Sequence, residues 1–400
     1  MNLKSGYPFS IVKNGIPNDY LKLENDITTD VVILGAGITG ALVRYHLAKE
    51  GIKCVTIDAR TIGFGSTSAS TSLLQYEIDV PLYKLSEMIG KEKAERAYQL
   101  CDKAINDLED IAKELNVEEF ESKKSLYYAK YKKDADWLKQ EYEARKEAGF
   151  KVDYLTPKEV QDQYGIKSYG AILSHHGAQT NAYVMAHELL RYKSDKKEFP
   201  VYDRSPIKDI THKKDGVVLK TDNGYTIKAK KLVYATGYEV VEFIDKPIVD
   251  LLSTYAVVSE QYNERNFWKD EVLIWNTADP YLYIRTTIDN RVLIGGRDEE
   301  FSNPRKRDEL LKRKTKQLTD DANGLFPKLN FIPEFSWAGT FGSTKDGLPY
   351  IGPYKKKTNS YFALGFGGNG ITFSVIAAQI IRDLIQGKEN KDAELFSFTR

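Results

Sequence analysis

The stretch Asp30–Gly40, DVVILGAGITG, decides the fold of this chain. Its first half, DVVIL, is a short β-branched and apolar run, the pattern of a strand buried on both faces. Its second half carries GAGITG. Gly35 permits a tight turn, Gly37 lets the backbone approach a pyrophosphate, and Gly40 allows the following helix to pack closely on the strand. Ile38 and Thr39 open that helix, whose N-terminus favours negative charge. Ile38, Ala41, Leu42, Tyr45 and Ala48 recur at helical spacing to about Glu50, and Gly51 suits the stop. KCVTI (53–57) then supplies a second strand. Short connections in such a strand–helix–strand unit favour parallel pairing with a right-handed crossover. Asp58 ends the second strand, roughly 20 residues beyond the first glycine, where an acidic side chain accepts hydrogen bonds from a ribose. Glycines spaced in this way often serve turns alone, but the strand before and the helix after them point to a dinucleotide site.

Outward from this unit, residues 1–29 are polar with Gly and Pro and read as an irregular arm. A long amphipathic helix is expected over 82–116, a strand over 124–131 and a helix over 133–148. Another helix is expected over 181–195, with Asn181 as its N-cap. Residues 206–235 read as three strands turning at KKDG and TDNG. Strands follow at 251–260, 271–276, 281–286 and 291–296, then a helix at 305–323. The closing YFALGFGGNGITFSVIAAQIIRDLI is a strand, a glycine-rich turn and a helix. This order predicts a nucleotide-binding domain split into 30–80, 200–245 and 336–400. A substrate domain would take 81–199 and 246–335.

A chain of 400 residues accommodates two such domains. Its 42% hydrophobic and 29% charged content is that of a soluble globular protein. The net charge of +1 gives no basis for nucleic-acid binding. Cys54 and Cys101 read as two buried thiols, no CxxC occurs, and the 5 histidines lack metal-ligand spacing. A reduced, cytoplasmic setting without a metal site is therefore expected. The N-terminal residues lack the apolar core of a signal peptide, and no run approaches the ~18 apolar residues of a membrane helix.

The glycine fingerprint does not choose between FAD and NAD, since both share adenosine and pyrophosphate. Three further segments favour FAD. Ala59 and Arg60 lead into GFGSTSAST, where Gly65, Ser66, Thr67 and Ser68 offer backbone N–H groups and hydroxyls to an extended cofactor. KLVYATG places Ala235, Thr236 and Gly237 after a strand of a β-meander. LGFGGNGITFS sets Gly367, Gly368, Asn369, Gly370, Ile371 and Thr372 at a helix N-terminus. Such a terminus stabilises the negative charge that a reduced flavin develops near N1 and C2=O.

These motifs, with YIRTTIDNRVLIGG and WAGTFGSTKDGLPYIG, resemble the D-amino-acid oxidase superfamily of FAD-dependent oxidoreductases. That group includes sarcosine oxidase, glycine oxidase and gamma-glutamylputrescine oxidase. The resemblance runs over nearly the whole chain from Asp30, and YxR…DNRVLIGG is nearest the gamma-glutamylputrescine oxidase branch. It implies an α/β fold: an FAD-binding Rossmann-like domain of the glutathione-reductase type, plus a substrate domain with a mixed, largely antiparallel sheet and helices. Gly342, in WAGTFGS, joins the expected flavin contacts. The implied reaction moves a hydride from an amine-bearing carbon to the flavin, and the imine then hydrolyses. The substrate would be a small amine-containing molecule.

Four departures mark this chain within the resemblance. The arginine that clamps a substrate carboxylate in amino-acid-oxidising members matches Phe341. The lysine that does so in sarcosine oxidase matches Thr372. The cysteine that tethers flavin there matches Gly339, so FAD is expected to be non-covalent. The lysine that activates oxygen matches Leu293, which admits a different electron acceptor. Phe cannot replace a guanidinium fork, so a simple amino acid is a poor substrate. Arg285, Tyr255, Tyr283 and Glu77 are the candidate substrate-facing residues: the arginine for an acid group, the tyrosines as walls, the glutamate for a cationic amine. His175 and His176 are assigned structural roles. An alternative class is a flavin-binding subunit or sensor without amine turnover of its own. Oligomeric state is not encoded in any motif.

Overall fold

The computed structural model describes residues 1–400. Strand Ile27–Leu34 lies at the centre of an 8-stranded sheet. Cys54–Ile57 and Thr226–Tyr234 flank it in parallel, and Val201–Tyr202 and Ser360–Leu364 extend the parallel set outward. Val31 to Leu34 are all buried, as a non-alternating apolar run requires. The strands Ile207–Lys213 and Gly216–Thr221 lead antiparallel into Thr226–Tyr234, turning where KKDG and TDNG place the bends. Tyr350–Pro353 closes the other edge antiparallel.

Helix Ile38–Lys49 is buried from Ile38 to Ala48 on every face. It is wedged between the sheet and the helices Gly370–Ile385 and Ala182–Arg191. Asn181 caps the last of these, its side chain accepting from Tyr183 N at 3.2 Å and Val184 N at 3.3 Å. The expected helix over 82–116 is two helices, Leu82–Ile89 and Lys91–Leu115. Gly90 breaks it with φ of 92°, a conformation costly for any residue with a Cβ.

The second sheet has 10 strands and is largely antiparallel. Its order runs Lys4–Gly6, Pro333–Ser343, Asp250–Ser259, Val292–Glu299, Leu282–Thr286, Leu273–Asn276, Glu121–Tyr128, Ala171–Gln179 and Leu73–Leu74, with Val152–Leu155 branching from Ala171–Gln179. Only Leu273–Asn276 and Glu121–Tyr128 pair in parallel. Helix Pro304–Leu325 backs this sheet.

Three elements differ from the sequence-based expectation. The arm is partly regular: Lys4–Gly6 pairs with Gly339–Trp337, and Phe9–Asn14 is helical. Pairing gives the edge of Pro333–Ser343 a partner for its backbone groups, and the buried Arg307 holds the arm by donating to Ser5 Oγ at 2.8 Å and Asn2 O at 3.0 Å. Residues 336–343, grouped by sequence with the nucleotide unit, belong to a strand paired along its length with Asp250–Ser259. Ala171–Gln179, which carries His175 and His176, is a strand near one end of the second sheet; its Ser, His and Gly residues mask the alternation by which strands are read.

The nucleotide unit depends on two close approaches. A Cβ on Gly40 would stand 1.9 Å from Gly35 O, and one on Gly35, whose φ is 104°, would stand 2.3 Å from Ala235 O. Helix, turn and neighbouring strand are thus packed at the limit of backbone contact. Gly40→Ala is expected to destabilise the fold by about 1–3 kcal/mol, the range for overpacking a core. Urea unfolding measures this, and unchanged stability would show that the turn can yield.

Candidate functional site

A cavity of about 670 Å³ runs between the two sheets, large enough for an extended cofactor. On the nucleotide side it is lined by Gly35, Gly37, Ile38 and Thr39 of the first turn and by Asp58, Ala59 and Arg60 after the second strand. Gly65, Ser66, Thr67, Ala235, Thr236 and Gly237 continue the wall. Gly367, Gly368, Gly370 and Ile371 complete it. Four segments far apart in sequence therefore share one wall.

The carboxylate of Asp58 is held in place by two backbone donors, Ala36 N at 2.7 Å and Arg60 N at 2.9 Å. Ile38 N, at the helix N-terminus, donates to Thr67 Oγ1 at 3.0 Å. A Cβ on Gly37 would come 2.7 Å from that same Oγ1, so residue 37 is open only as glycine. Ser66 Oγ and Thr236 Oγ1 line the cavity, are sealed from solvent and have no hydrogen-bond partner. Buried polar groups are nearly always satisfied, and an orphan costs ~1–3 kcal/mol. Two orphans in one cradle fit a ligand rich in acceptors, such as the pyrophosphate and ribityl chain of FAD.

Five expected contacts do not line this wall and serve the scaffold instead. Gly40 is consumed by the helix–turn contact described above. Ser68 Oγ donates to Gly65 O at 3.1 Å. Gly342 makes room for Val249 and Tyr238, since a Cβ there would lie 2.6 Å from Val249 Cγ1. Asn369 Nδ2 donates to Gln75 O at 2.9 Å and Glu77 O at 2.8 Å, fixing the glycine turn. Thr372 Oγ1 donates to Asn369 O at 2.9 Å. The turn's own Gly368 N–H donates to Asp79 Oδ2 at 2.8 Å, so a carboxylate already sits at this helix N-terminus.

The second sheet forms the other end of the cavity, with Thr254, Tyr281, Tyr283, Asp298, Trp337 and Phe341 in its wall. Tyr283 lies across Gly295, its partner on the neighbouring strand, where a Cβ would stand 2.3 Å from the phenol oxygen. Tyr281 and Tyr283 set their rings 6.0 Å apart at 55°. Trp337 is fixed by its Nε1 donating to Ala69 O at 2.9 Å.

Three of the four candidate substrate residues are placed otherwise than expected. Glu77 is buried outside the cavity, its Oε1 accepting from Ser174 Oγ at 2.7 Å and Arg145 at 3.2 Å. Arg145 also binds Glu141 at 2.7 Å, and a carboxylate removed from water requires such partners. Arg285 shares a strand face with Tyr281 and Tyr283 but lies past the cavity. Its guanidinium donates to the carbonyls of Thr71 at 2.6 Å, Thr286 at 3.1 Å and Thr180 at 3.3 Å, leaving no fork for a substrate acid. Tyr255 touches the cavity, but its ring belongs to the core under helix Pro304–Leu325. Burial pushes its phenol up to about 12. Tyr283 stands in the wall of the pocket with its ring against Gly295.

Asp298 is the residue that sequence reading passed over. It follows IGG in strand Val292–Glu299, opposite the Tyr-x-Tyr strand, and a charge on the inner face of a strand was the signal available. Desolvation pushes its carboxyl up to about 7; the Thr254 hydroxyl and Lys314 favour the ionised form, while Asp79 and Asp279 disfavour it. His175 pairs with Asp153 at 2.6 Å and His176 with Asp102 at 2.5 Å, both away from the cavity. Cys54 and Cys101 are free, buried and outside it, while Gly339 is in its wall. Leu293 is packed in a small core with Phe9 and Trp337.

The family model described as FAD dependent oxidoreductase matches residues 30–384, and the chain belongs to that family. FAD is the family's cofactor, and the cradle described above suits it. Among curated proteins, the chain is similar to gamma-glutamylputrescine oxidoreductase of Escherichia coli (strain K12), 24% identical with 94% of this chain and 86% of that protein covered. It is 26% identical to glycine oxidase of Geobacillus kaustophilus (strain HTA426), over 93% and 97%. The crystal structure of glycine oxidase from Geobacillus kaustophilus superposes with a TM-score of 0.77, at 23% identity over 93% and 99% of the chains, and so shows the same fold. No helix is long and apolar enough to cross a membrane.

Two outcomes follow for the placed residues. Asp58→Ala removes a prepared acceptor of charge-assisted bonds, so the Kd for FAD should rise about ten- to hundredfold, measured by flavin fluorescence quenching. Arg145→Met strands two buried carboxylates and should cost about 3–5 kcal/mol in urea unfolding. Stability equal to that of the unaltered protein would return Glu77 to the list of candidate substrate contacts.

Proposed function

We propose that the chain oxidises a C–N bond of a small amine, with FAD held non-covalently. The observation that carries this reading is one continuous cavity, with a nucleotide cradle at one end and an aromatic pocket bearing a single acidic side chain at the other. FAD, when bound, supplies the acceptor for the hydride and the two electrons. The protein's part is positional. Asp58 would take the ribose, Ser66 and Thr236 would satisfy acceptors along the cofactor, and Gly37 would admit the pyrophosphate. Tyr281, Tyr283 and Trp337 would hold the substrate and exclude water from its reacting carbon.

The sequence relatives support this reading, since their names refer to an amine and to glycine. The flavin-binding subunit or sensor is not favoured by any feature of the pocket. Both cysteines lie outside the cavity, which supports a non-covalent cofactor. No lysine stands in the second sheet's part of the wall, which supports an electron acceptor other than dioxygen. The two free, buried cysteines support the reduced, cytoplasmic setting we infer.

The test is the visible spectrum of the purified protein, followed anaerobically against amines, N-alkyl amino acids and glycated amines. We expect flavin bands that a member of this panel bleaches, and flavin that leaves the protein on acid precipitation. Bands that none of them bleaches would favour the sensor, and failure to take up FAD would end the proposal.

A further inference from the structure

We propose that Asp298 receives the ammonium group of the substrate, and that the pocket selects amines carrying no carboxylate on the reacting carbon; this rests on the amine-oxidising reading above. The first support is the distribution of charge in the cavity. Its cationic side chains, Arg60, Lys208 and Lys357, all stand on the nucleotide side. Arg60 is paired with Glu239. Among the second sheet's cavity residues, Asp298 alone is charged. Phe341 stands where a carboxylate clamp would be needed, and Arg285 has spent its donors on backbone carbonyls. A carboxylate entering this end would meet an acid and no cation.

The second support is that Asp298 has no ion-pair partner; the Thr254 hydroxyl is the one group that hydrogen-bonds to its side chain. Its Oδ1 is sealed from solvent and accepts no hydrogen bond. Its sequence neighbour Arg297 and the helix residue Lys314 are bound to other groups. Arg297 is bound to Asp321 through contacts of 2.6 and 2.8 Å, and Lys314 to Glu299 and Arg297 O at 2.6 Å each. A largely desolvated carboxylate without a cation beside it is costly, and an ammonium group would complete it. The aromatic wall beside it, Tyr281 and Tyr283, presents π faces of the kind that favour ammonium over carboxylate.

The groups facing Asp298 set the pH range in which this recognition works. Thr254 comes from the adjacent strand and Lys314 from the helix behind, with Asp79, Asp279 and Tyr281 in the loops and Tyr255 and Tyr283 in the strands. Above a pH of about 7 the carboxyl is ionised and holds a cation; below it the proton takes that place. Alkylamines, with pKa near ~10, stay protonated throughout this range. Amine binding should therefore strengthen as pH rises through neutrality.

The experiment is calorimetric binding to the FAD-loaded protein of matched pairs differing only in the α-carboxylate: ethylamine against alanine, N-methylethylamine against N-methylalanine, and 1,4-diaminobutane against ornithine. At about pH 8.5 each amine should bind at least tenfold more tightly than its amino acid, and its affinity should fall by about tenfold toward pH 6. Asp298→Asn keeps the side chain's shape and should remove both the preference and the pH dependence. Amino acids binding as well as amines, amines not binding, or an affinity unchanged by pH or by D298N would each overturn the proposal. The wild-type pH titration decides even if the variant does not fold. Loss of FAD uptake, or flavin that no bound amine reduces, shows separately in the spectrum and counts against the amine-oxidising reading.

Discussion

The contact between Gly40 and the carbonyl of Gly35 is the constraint on which the rest of the molecule is built. With no side chain at residue 40, the helix Ile38–Lys49 sits directly over the turn that precedes it. With φ at 104° and no side chain at residue 35, the strand ends against Ala235 of the neighbouring strand. These approaches put the first turn, the Thr236 segment and Asp58 together at the C-terminal ends of the central parallel strands. They also bury the helix on all sides, which obliges other elements to cover it. The C-terminal helix and Ala182–Arg191 do so, and Thr39 and Ser374 share a hydrogen bond of 2.8 Å across that packing.

The antiparallel sheet is organised around buried charge. Arg145 joins Glu77 and Glu141, and Arg285 gathers the carbonyls of Thr71 and Thr180. Asn369 reaches from the glycine turn to the carbonyls of Gln75 and Glu77. The segment after Ser66–Ala69 is thus tied from three directions, and it connects the cofactor cradle to the pocket. Every donor in these ties is matched, as isolated charges removed from water must be. Asp298 lines the cavity and is held by no arginine or lysine ion pair, which is why it reads as part of the site rather than of the scaffold.

The cofactor half was legible because its chemistry is local. Turn, strand end and helix start are specified by a few adjacent residues, and Gly35, Asp58, Ser66, Thr236 and Gly368 all reach the cavity they were expected to line. The errors in that half were of orientation. Gly342, Asn369 and Thr372 lie in the right segments, but their side chains or Cβ positions face the scaffold. The substrate half was legible only as a sheet. Glu77 and Arg285 were plausible from residue type, yet each has polar partners elsewhere in three dimensions, and the ring of Tyr255 is taken up by the core. The strand Ala171–Gln179 was hidden by its histidines, whose partners Asp153 and Asp102 are distant in sequence.

The sequence by itself determined the nucleotide-binding unit, its position at the start of the chain, and the return of the chain to it at the closing glycine turn. Local backbone geometry and apolar periodicity carry that information, and neither depends on distant residues. Tertiary structure decided which charges are spent and which are free. Whether an arginine meets a carbonyl, a carboxylate or a substrate is set by packing between segments hundreds of residues apart, as Arg285 and Thr71 show. It placed the arm on the edge of the second sheet and left Asp298 without an ion-pair partner at the cavity wall. The pairing of charges is a property of the folded surface, and no window of adjacent residues contains it.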